Sequence, residues 1–316
     1  MDNQVKKQIV EAAKSYASEN GLVQESIADL AGINIGYVNA MWQGNFSIKG
    51  KEEGKSTIIK DLYFKKVAKA VGFDYEQRYW GLVETPQYLE IYTELADAKN
   101  KGYMKMIIGE TGCGKTFTVD KFVKDFPANV YKITVSNLYT IDDIINELCE
   151  KVGVNVTRGR VGRLKRVSDK LKNMQLNNQK PVVIIDEAEN LQKPALKMMK
   201  SLYDSIKNYC SIVLIGTDQL INKLDALSEK NEDGIPQFCR RFKAGKRNLP
   251  PINKDKMFLP FLERINDEGL RKTLIGQCDN YGELNDFLEP ALREADAFGV
   301  ELTEQFLCNM FGLNRA

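Results

Sequence analysis

The chain has 316 residues, of which 43% are hydrophobic, and its 45 Lys and Arg nearly balance its 43 Asp and Glu. This length predicts about two domains, and no apolar run is long enough to cross a membrane. The absence of histidine excludes imidazole catalysis, and six dispersed cysteines without a Cys-x-x-Cys pair argue against zinc or a disulfide framework. No secretion leader is recognisable, so we expect a cytoplasmic protein.

The first 80 residues are predicted to form an all-α helix-turn-helix domain. The pattern predicts helices at 5–18, 24–30, 35–42 and 58–71, with a polar loop at 44–54. Ile27, Leu30, Ile33 and Val38 are expected to form its small core.

The helix at 35–42 is expected to present polar side chains to double-stranded DNA. Asn34, which also caps this helix, Tyr37 and Asn39 are the candidate DNA contacts. A protein-docking module is the alternative, because eleven acids and eleven bases up to residue 84 give no net positive field. A linker is predicted at 72–86.

Residues 109–116 read Gly-Glu-Thr-Gly-Cys-Gly-Lys-Thr, a complete phosphate loop between a predicted strand at 103–108 and a predicted helix at 117–126. Backbone N–H groups of such a loop surround a polyphosphate, Lys115 reaches the β and γ phosphates, and the Thr116 hydroxyl ligates Mg²⁺. We therefore expect ATP and Mg²⁺ as cofactors. The candidate nucleotide-binding residues are Gly109, Glu110, Thr111, Gly112, Cys113, Gly114, Lys115, Thr116, Phe117 and Asp186.

A basic run follows at 158–172, with seven Lys or Arg against Asp169 alone. Such a cluster suits a polyanion, and its two glycines predict a loop that leads into a helix. The candidate DNA-backbone contacts are Arg158, Arg160, Arg163, Lys165 and Arg166. A solvated helix face is the alternative explanation.

Two further apolar strands end in polar residues. The strand at 182–185 is followed by Asp186, a candidate Mg²⁺ ligand, and by Glu187, a candidate base for the water that attacks the γ-phosphate. The strand at 211–215 is followed by Thr217, a candidate sensor that bridges this water and the phosphate. Together the two motifs predict hydrolysis as well as binding.

These motifs, with the run 238–242 that leads to Leu249-Pro250-Pro251, resemble the AAA+ ATPases of the group that includes the DNA-transposition regulators. The resemblance implies an α/β fold in which helices sandwich a parallel sheet and a small helical lid follows. The expected domains are the helix-turn-helix domain at 1–80, the ATPase core at 84–251 and the lid at 252–316. The helix at 86–99 is then expected beside the adenine, with Tyr88 or Tyr92 on the base.

Family members of this kind bind DNA without sequence preference when loaded with ATP. They assemble into helical filaments or rings and recruit a transposase, which stimulates their ATPase activity. Arg241, with Arg240 as the alternate, matches the arginine that reaches the γ-phosphate of a neighbouring subunit. The lid departs from the usual pattern, because Glu283 and Asn285 stand where relatives have a sensor arginine; Arg293 is a candidate substitute.

Two other functions fit parts of the sequence. A helicase loader is also a DNA-binding AAA+ ATPase, although the helix-turn-helix disfavours it. An ATP-gated transcriptional regulator would use residues 24–43 to read an operator and its nucleotide site as a switch.

Overall fold

The computed structural model describes residues 3–49, 56–73, 79–156 and 158–313. The chain divides into two compact units, Met1–Arg78 and Tyr79–Ala316. Residues 50–54 of the predicted polar loop and 74–78 of the predicted linker lie outside the described residues.

The first unit is a helical domain with a short antiparallel hairpin. Its elements are α1 (Asn3–Glu19), α2 (Gln24–Ala31), α3 (Ile35–Trp42), β1 (Ser47–Lys49), β2 (Ser56–Ile58) and α4 (Asp61–Ala70). The hairpin strands correct two expectations, because β1 lies in the predicted polar loop and β2 delays the start of the last helix to Asp61. Isolated three-residue strands carry too little periodicity to be recognised.

Both helices are capped at the turn between α2 and α3. Gly32 ends α2 in the left-handed conformation at φ 60°, and the Asn34 side chain accepts a hydrogen bond from the Gly36 N–H at 2.8 Å. Ile27 and Val38 are buried as expected, whereas Leu30 is 55% exposed. The expectation for Leu30 is wrong because α2 turns Ile27, Ala28 and Ala31 to the core.

The second unit begins with a five-stranded parallel sheet of order β4-β5-β6-β3-β7. Its elements are α5 (Pro86–Lys101), β3 (Lys105–Ile108), α6 (Lys115–Asp125), β4 (Val130–Thr134), α7 (Ile141–Val152), α8 (Arg160–Leu176), β5 (Val182–Asp186), α9 (Lys193–Ile206), β6 (Ser211–Gly216), α10 (Asp218–Glu229), α11 (Ile235–Phe242) and β7 (Lys246–Asn248). The predicted α/β fold with a parallel sheet between helices is confirmed.

Helices cover both faces of this sheet, so its central strands are apolar throughout. In β5, Val182 and Ile184 face a core shared with α5 and α6, and the alternate residues Val183 and Ile185 face a core shared with α7, α8 and α9. Because the strands run parallel, the loops after β3, β5 and β6 all lie at the same edge of the sheet.

Five short or medium helices complete the unit. They are α12 (Lys254–Met257), α13 (Leu259–Leu262), α14 (Glu268–Gln277), α15 (Tyr281–Phe298) and α16 (Glu304–Phe311). They pack around their own apolar cluster, which includes Phe258, Leu270 and Leu284. No helix among the described residues is long and apolar enough to span a bilayer.

Candidate nucleotide site

A cavity of about 370 Å³ lies at the carboxyl edge of the sheet, within the second unit. Its walls come from the phosphate loop, the ends of β5 and β6, the segment before α5 and the helical C-terminal region. The lining residues are Trp80, Gly81, Val83, Thr85, Tyr88, Thr111, Gly112, Cys113, Gly114, Lys115, Thr116, Phe117, Thr118, Asp186, Glu187, Glu189, Thr217, Phe261, Tyr281, Gly282 and Asn285. Most of the predicted nucleotide residues therefore meet in one place; Gly109 and Glu110 lie just before them in the loop.

The phosphate loop is held between β3 and the start of α15. Gly112 has φ 73°, and a Cβ there would lie 2.0 Å from the Asn280 Oδ1, so both its conformation and its neighbour require glycine. The Gly112 carbonyl also accepts a hydrogen bond from the Gly282 N–H at 3.2 Å. The Lys115 ammonium donates to the carbonyls of Gly109 and Glu110 at 2.8 and 2.7 Å. Burial raises the pKa of the Cys113 thiol.

Asp186 is the buried centre of the phosphate end. Its Oδ2 accepts a hydrogen bond from the Thr116 hydroxyl at 3.0 Å, and its Oδ1 accepts one from the Glu187 N–H at 3.1 Å. The Lys132 ammonium on β4 lies 3.1 Å from the same Oδ2 and 2.7 Å from Asp120. Two residues that are 70 positions apart are thus already placed as a hydroxyl–carboxylate pair.

Lys132 was missed by sequence reasoning, although a lysine inside an apolar strand is a detectable signal. Burial acts to lower the pKa of its ammonium, but the hydrogen bond to Asp120 and the charge of Asp186 outweigh this effect and raise the pKa. The lysine therefore stays charged and holds the Asp186 carboxylate in place.

Glu187 directly follows this strand in an unusual backbone conformation. It has φ 52° and ψ 43°, which a residue other than glycine adopts only where the surroundings impose it. Its side chain is exposed, and its Oε2 accepts a hydrogen bond from the Asn190 amide at 3.2 Å. The conformation turns Glu187 away from the sheet and toward the cavity that it lines.

Thr217 lies at the end of β6, where its hydroxyl donates to the Glu189 Oε1 at 3.0 Å. Glu189 also lines the cavity and was not among the predicted residues. The sequence contained a signal, since Glu189 is a second acid two positions after Glu187. The phosphate end thus carries three acids, of which sequence reasoning identified two.

The opposite end of the cavity is aromatic. Trp80 and Phe261 stack with ring centroids 4.4 Å apart, and Tyr281 lies 5.5 Å from Phe261. The Tyr281 hydroxyl donates to the Oε1 of the fully buried Gln87, whose amide donates to the Pro250 carbonyl at 3.0 Å. This chain of hydrogen bonds ties α15 to the start of α5 and to the exit of β7.

Of the two tyrosines expected near a base, Tyr88 lines the cavity and Tyr92 does not. The structure thus favours Tyr88 of the two alternatives, because the Tyr92 ring packs against Phe122 and its hydroxyl donates to Asp125. Arg293, the candidate lid sensor, pairs with Glu289, and its side chain is 64% exposed outside the cavity lining. Asn285 lines the cavity from α15 instead.

The side chains at the phosphate end fit a magnesium ion brought with a nucleotide. Thr116 and Asp186 offer a hydroxyl and a carboxylate, which are the oxygen ligands that Mg²⁺ prefers. Among the described residues there is no group of three or more Asp, Glu, Cys or His that would hold a metal alone. Such an ion would polarise the phosphates, and Thr116 and Asp186 would hold it.

The two candidate arginines lie outside the cavity lining and differ in their contacts. Arg241 pairs with Asp204, donates to the Gln237 carbonyl at 3.1 Å and lies 5.3 Å from the centroid of the Tyr203 ring. Arg240 is exposed, and no hydrogen bond or ion pair joins it to the described part of the chain.

The basic run is divided by its contacts with α7. Arg160 and Arg163 both pair with Asp142, and the Arg163 side chain is only 11% exposed. Arg158, Lys165 and Arg166 are exposed, and none of them forms an ion pair within the described ranges. The predicted DNA surface is therefore reduced: Arg163 is a structural contact, and Arg160 is partly neutralised.

The three candidate DNA contacts of the first unit are also unequal. Asn34 is engaged as the cap of α3, and the Tyr37 ring stacks on Tyr63 at a centroid distance of 4.3 Å. Asn39 is exposed. This part of the predicted surface offers one unengaged polar side chain of the three.

Residues 99–224 match the family model for the AAA domain. The chain therefore contains an AAA domain over this range. It is similar to the Mu-like prophage FluMu DNA transposition protein B of Haemophilus influenzae, with 25% identity over 224 residues that cover 68% of this chain and 71% of the relative. The chain is also similar, over a shorter range, to the signal recognition particle 54 kDa protein of Pyrobaculum calidifontis. The identity is 31% over 132 residues, which cover 40% of this chain and 30% of the relative.

Solved structures share the fold of much of this chain. Cdc6p of Pyrobaculum aerophilum matches with a TM-score of 0.51 and 18% identity, over 72% of this chain and 65% of the other. Aeropyrum pernix ORC1, solved in complex with DNA, matches with a TM-score of 0.51 and 14% identity, over 72% of this chain and 64% of the other. This chain thus spans just under two thirds of these two proteins.

Proposed function

We propose that this chain is an ATP-dependent, DNA-binding AAA+ ATPase that oligomerises on target DNA and recruits a transposase. The observation that carries the ATPase part is the contact between Thr116 and the buried Asp186 beside Lys115, in one cavity with Glu187 and Thr217. The transposition part rests on the similarity to a protein named for DNA transposition.

In this reaction Lys115 neutralises the β and γ phosphates, while Thr116 and Asp186 hold Mg²⁺. Glu187 accepts a proton from the attacking water, because it lines the cavity beside Asp186 and keeps an exposed carboxylate. The water oxygen bonds to the γ-phosphorus as the bond from this phosphorus to the bridging oxygen breaks, and the bridging oxygen leaves on ADP.

The exposed bases of the basic run at 158–172 support non-specific DNA binding. Arg158, Lys165 and Arg166 can contact phosphates without displacing an acid of their own chain. Such contacts carry no sequence information, so affinity should be nearly equal for all duplexes.

Arg240 is the better candidate for the arginine that reaches a neighbouring subunit. It is exposed and unpaired within the described residues, whereas Arg241 is held by Asp204 and lies over Tyr203. We assign the γ-phosphate contact to Arg240 and the orientation of α11 to Arg241. Arg240→Ala should then lower DNA-stimulated hydrolysis without changing ATP affinity, while Arg241→Ala should also lower the thermal stability.

Electron microscopy tests the assembly. The protein would be mixed with random-sequence duplex DNA in the presence of ATP, ADP or no nucleotide. We expect continuous coating of the duplex with ATP, its loss in Lys115→Ala, and its persistence in Glu187→Gln, which keeps the phosphate contacts but lacks the base. Isolated dimers at preferred sequences would contradict the proposal and favour a transcriptional regulator; closed rings that require a helicase would favour a loader.

A further inference from the structure

Glu189 has no role in the reaction proposed above, although its position and its hydrogen-bond partner suit one. It lies in a single 3-10 turn, Ala188–Asn190, which directly follows Glu187. The Lys223 ammonium on α10 donates to the carbonyls of Glu189 and Leu191 and fixes the backbone of this segment. The backbone that carries the Glu189 side chain is therefore held against α10.

The Thr217 hydroxyl donates its hydrogen to Glu189. A threonine that precedes a helix commonly accepts a hydrogen bond from the first turn, but the Thr217 side chain makes no such bond to α10. It donates instead to the Glu189 Oε1 at 3.0 Å. Because a hydroxyl has one hydrogen and two lone pairs, Thr217 is left as an acceptor toward the cavity.

The second oxygen of Glu189 is buried and unsatisfied. Among the described residues, only the Glu189 Oε2 and the Asn285 Oδ1 are buried side-chain polar atoms without a partner, and both residues line the nucleotide cavity. A Cβ at Gly216 would lie 2.5 Å from the Glu189 Oε2, so the glycine leaves the space that this oxygen occupies. Unsatisfied buried oxygens are destabilising, and they are uncommon away from functional sites.

We propose that Glu189 is a positioning residue for ATP hydrolysis, and this inference rests on the proposed function. By taking the Thr217 hydrogen, Glu189 makes Thr217 an acceptor for the attacking water instead of a donor to the γ-phosphate. The water donates one hydrogen to the Thr217 Oγ1 and the other to Glu187, which keeps that proton as the new phosphorus–oxygen bond forms and the bond to ADP breaks. The buried Glu189 carboxylate also repels phosphate oxygens, so the space beside Thr217 is left for water.

Glu189→Gln tests the proposal with two readouts. The amide can donate to Thr217 and free its hydrogen for the γ-phosphate, and it removes a negative charge at that end of the cavity. We therefore expect kcat to fall by about ten-fold or more, while ATP binds more tightly and ADP binds as before. Glu229→Gln on α10 is the matched control, because this carboxylate is exposed and lies outside the cavity lining. It should leave both quantities unchanged.

A double-mutant cycle then distinguishes a positioning role of Glu189 from a role in the stability of the protein. If Glu189 acts through Thr217, adding Glu189→Gln to Thr217→Val should lower kcat by less than about two-fold. Multiplicative losses, or equal weakening of ATP and ADP with a lower Tm, would show a structural role and overturn the inference. Normal turnover in Glu189→Gln would overturn it while leaving the ATPase proposal intact. A wild-type protein that fails to bind or hydrolyse ATP would overturn both.

Discussion

The nucleotide cavity and the basic run of α8 differ in what brings their residues together. In the cavity, Thr116 and Asp186 meet because Asp186 ends β5 and the phosphate loop that leads to Thr116 follows β3, and the parallel sheet brings the ends of both strands to one edge. On α8, nothing but a count of charges joins the bases, and Asp142 on the neighbouring helix engages two of them. Motif spacing therefore predicts spatial contact, whereas charge counting does not reveal which charges are already paired.

The largest effect is expected at the phosphate loop. Lys115→Ala removes the charge that faces the β and γ phosphates, so ATP hydrolysis should fall by about a hundred-fold or more. Steady-state phosphate release measures this loss. Lys121→Ala is the control on the same helix, since Lys121 pairs with Asp125 at the surface and should leave turnover unchanged. Equal losses in the two variants would contradict the role given to Lys115.

The paired and unpaired bases of the basic run at 158–172 should behave differently in a DNA-binding titration. The triple change of Arg158, Lys165 and Arg166 to Ala should weaken binding to all duplexes by a similar factor, and should lower the slope of log affinity against log salt by about three. Arg163→Ala should lower the Tm instead, because its guanidinium is nearly buried against Asp142. An unchanged salt slope in the triple variant would place the DNA surface elsewhere.

The aromatic end of the cavity should contribute equally to ATP and ADP. Phe261→Ala removes a ring that stacks on Trp80, and aromatic pairs are worth about 0.5–1.5 kcal/mol. We therefore expect both nucleotides to lose affinity by about two- to ten-fold, as measured by calorimetry. Phe298→Ala is the control, because this ring is 68% exposed on α15 and does not line the cavity. A loss confined to ATP would assign Phe261 to the phosphate end.

The sequence predicted the phosphate end well and the aromatic end poorly, for a physical reason. Residues 109–117 are consecutive, so their shared geometry follows from local backbone chemistry. Trp80, Phe261 and Tyr281 are separated by up to about two hundred positions, and they converge only because the helices after β7 fold back over the sheet edge. Trp80 lies in the linker predicted at 72–86, because nothing adjacent in the sequence marks its partner.

The smallest effect is expected from a change at Asp142. It tests whether the Asp142 carboxylate offsets part of the positive charge of the basic run. Hydrogen bonds from Arg160 and Arg163 lower the pKa of this carboxyl from 3.8 to about 2. Because the pKa is lower in the folded state, the pair stabilises the protein above about pH 4, and this contribution is lost as the pH falls toward 2. Asp142→Asn should therefore lower the urea midpoint at pH 7, and its difference from wild type should shrink as the pH is lowered from 4.

Asp142→Asn should also affect the basic run and leave the nucleotide cavity unaffected. The change releases Arg160 from its ion pair, so DNA affinity should rise slightly at low salt while ATP hydrolysis without DNA stays the same. Asp169→Asn, which removes an exposed acid from α8 that has no ion pair within the described ranges, should raise DNA affinity similarly without the pH-dependent loss of stability. A stability difference that persisted undiminished below pH 2 would mean that Asp142 acts through packing rather than through its charge.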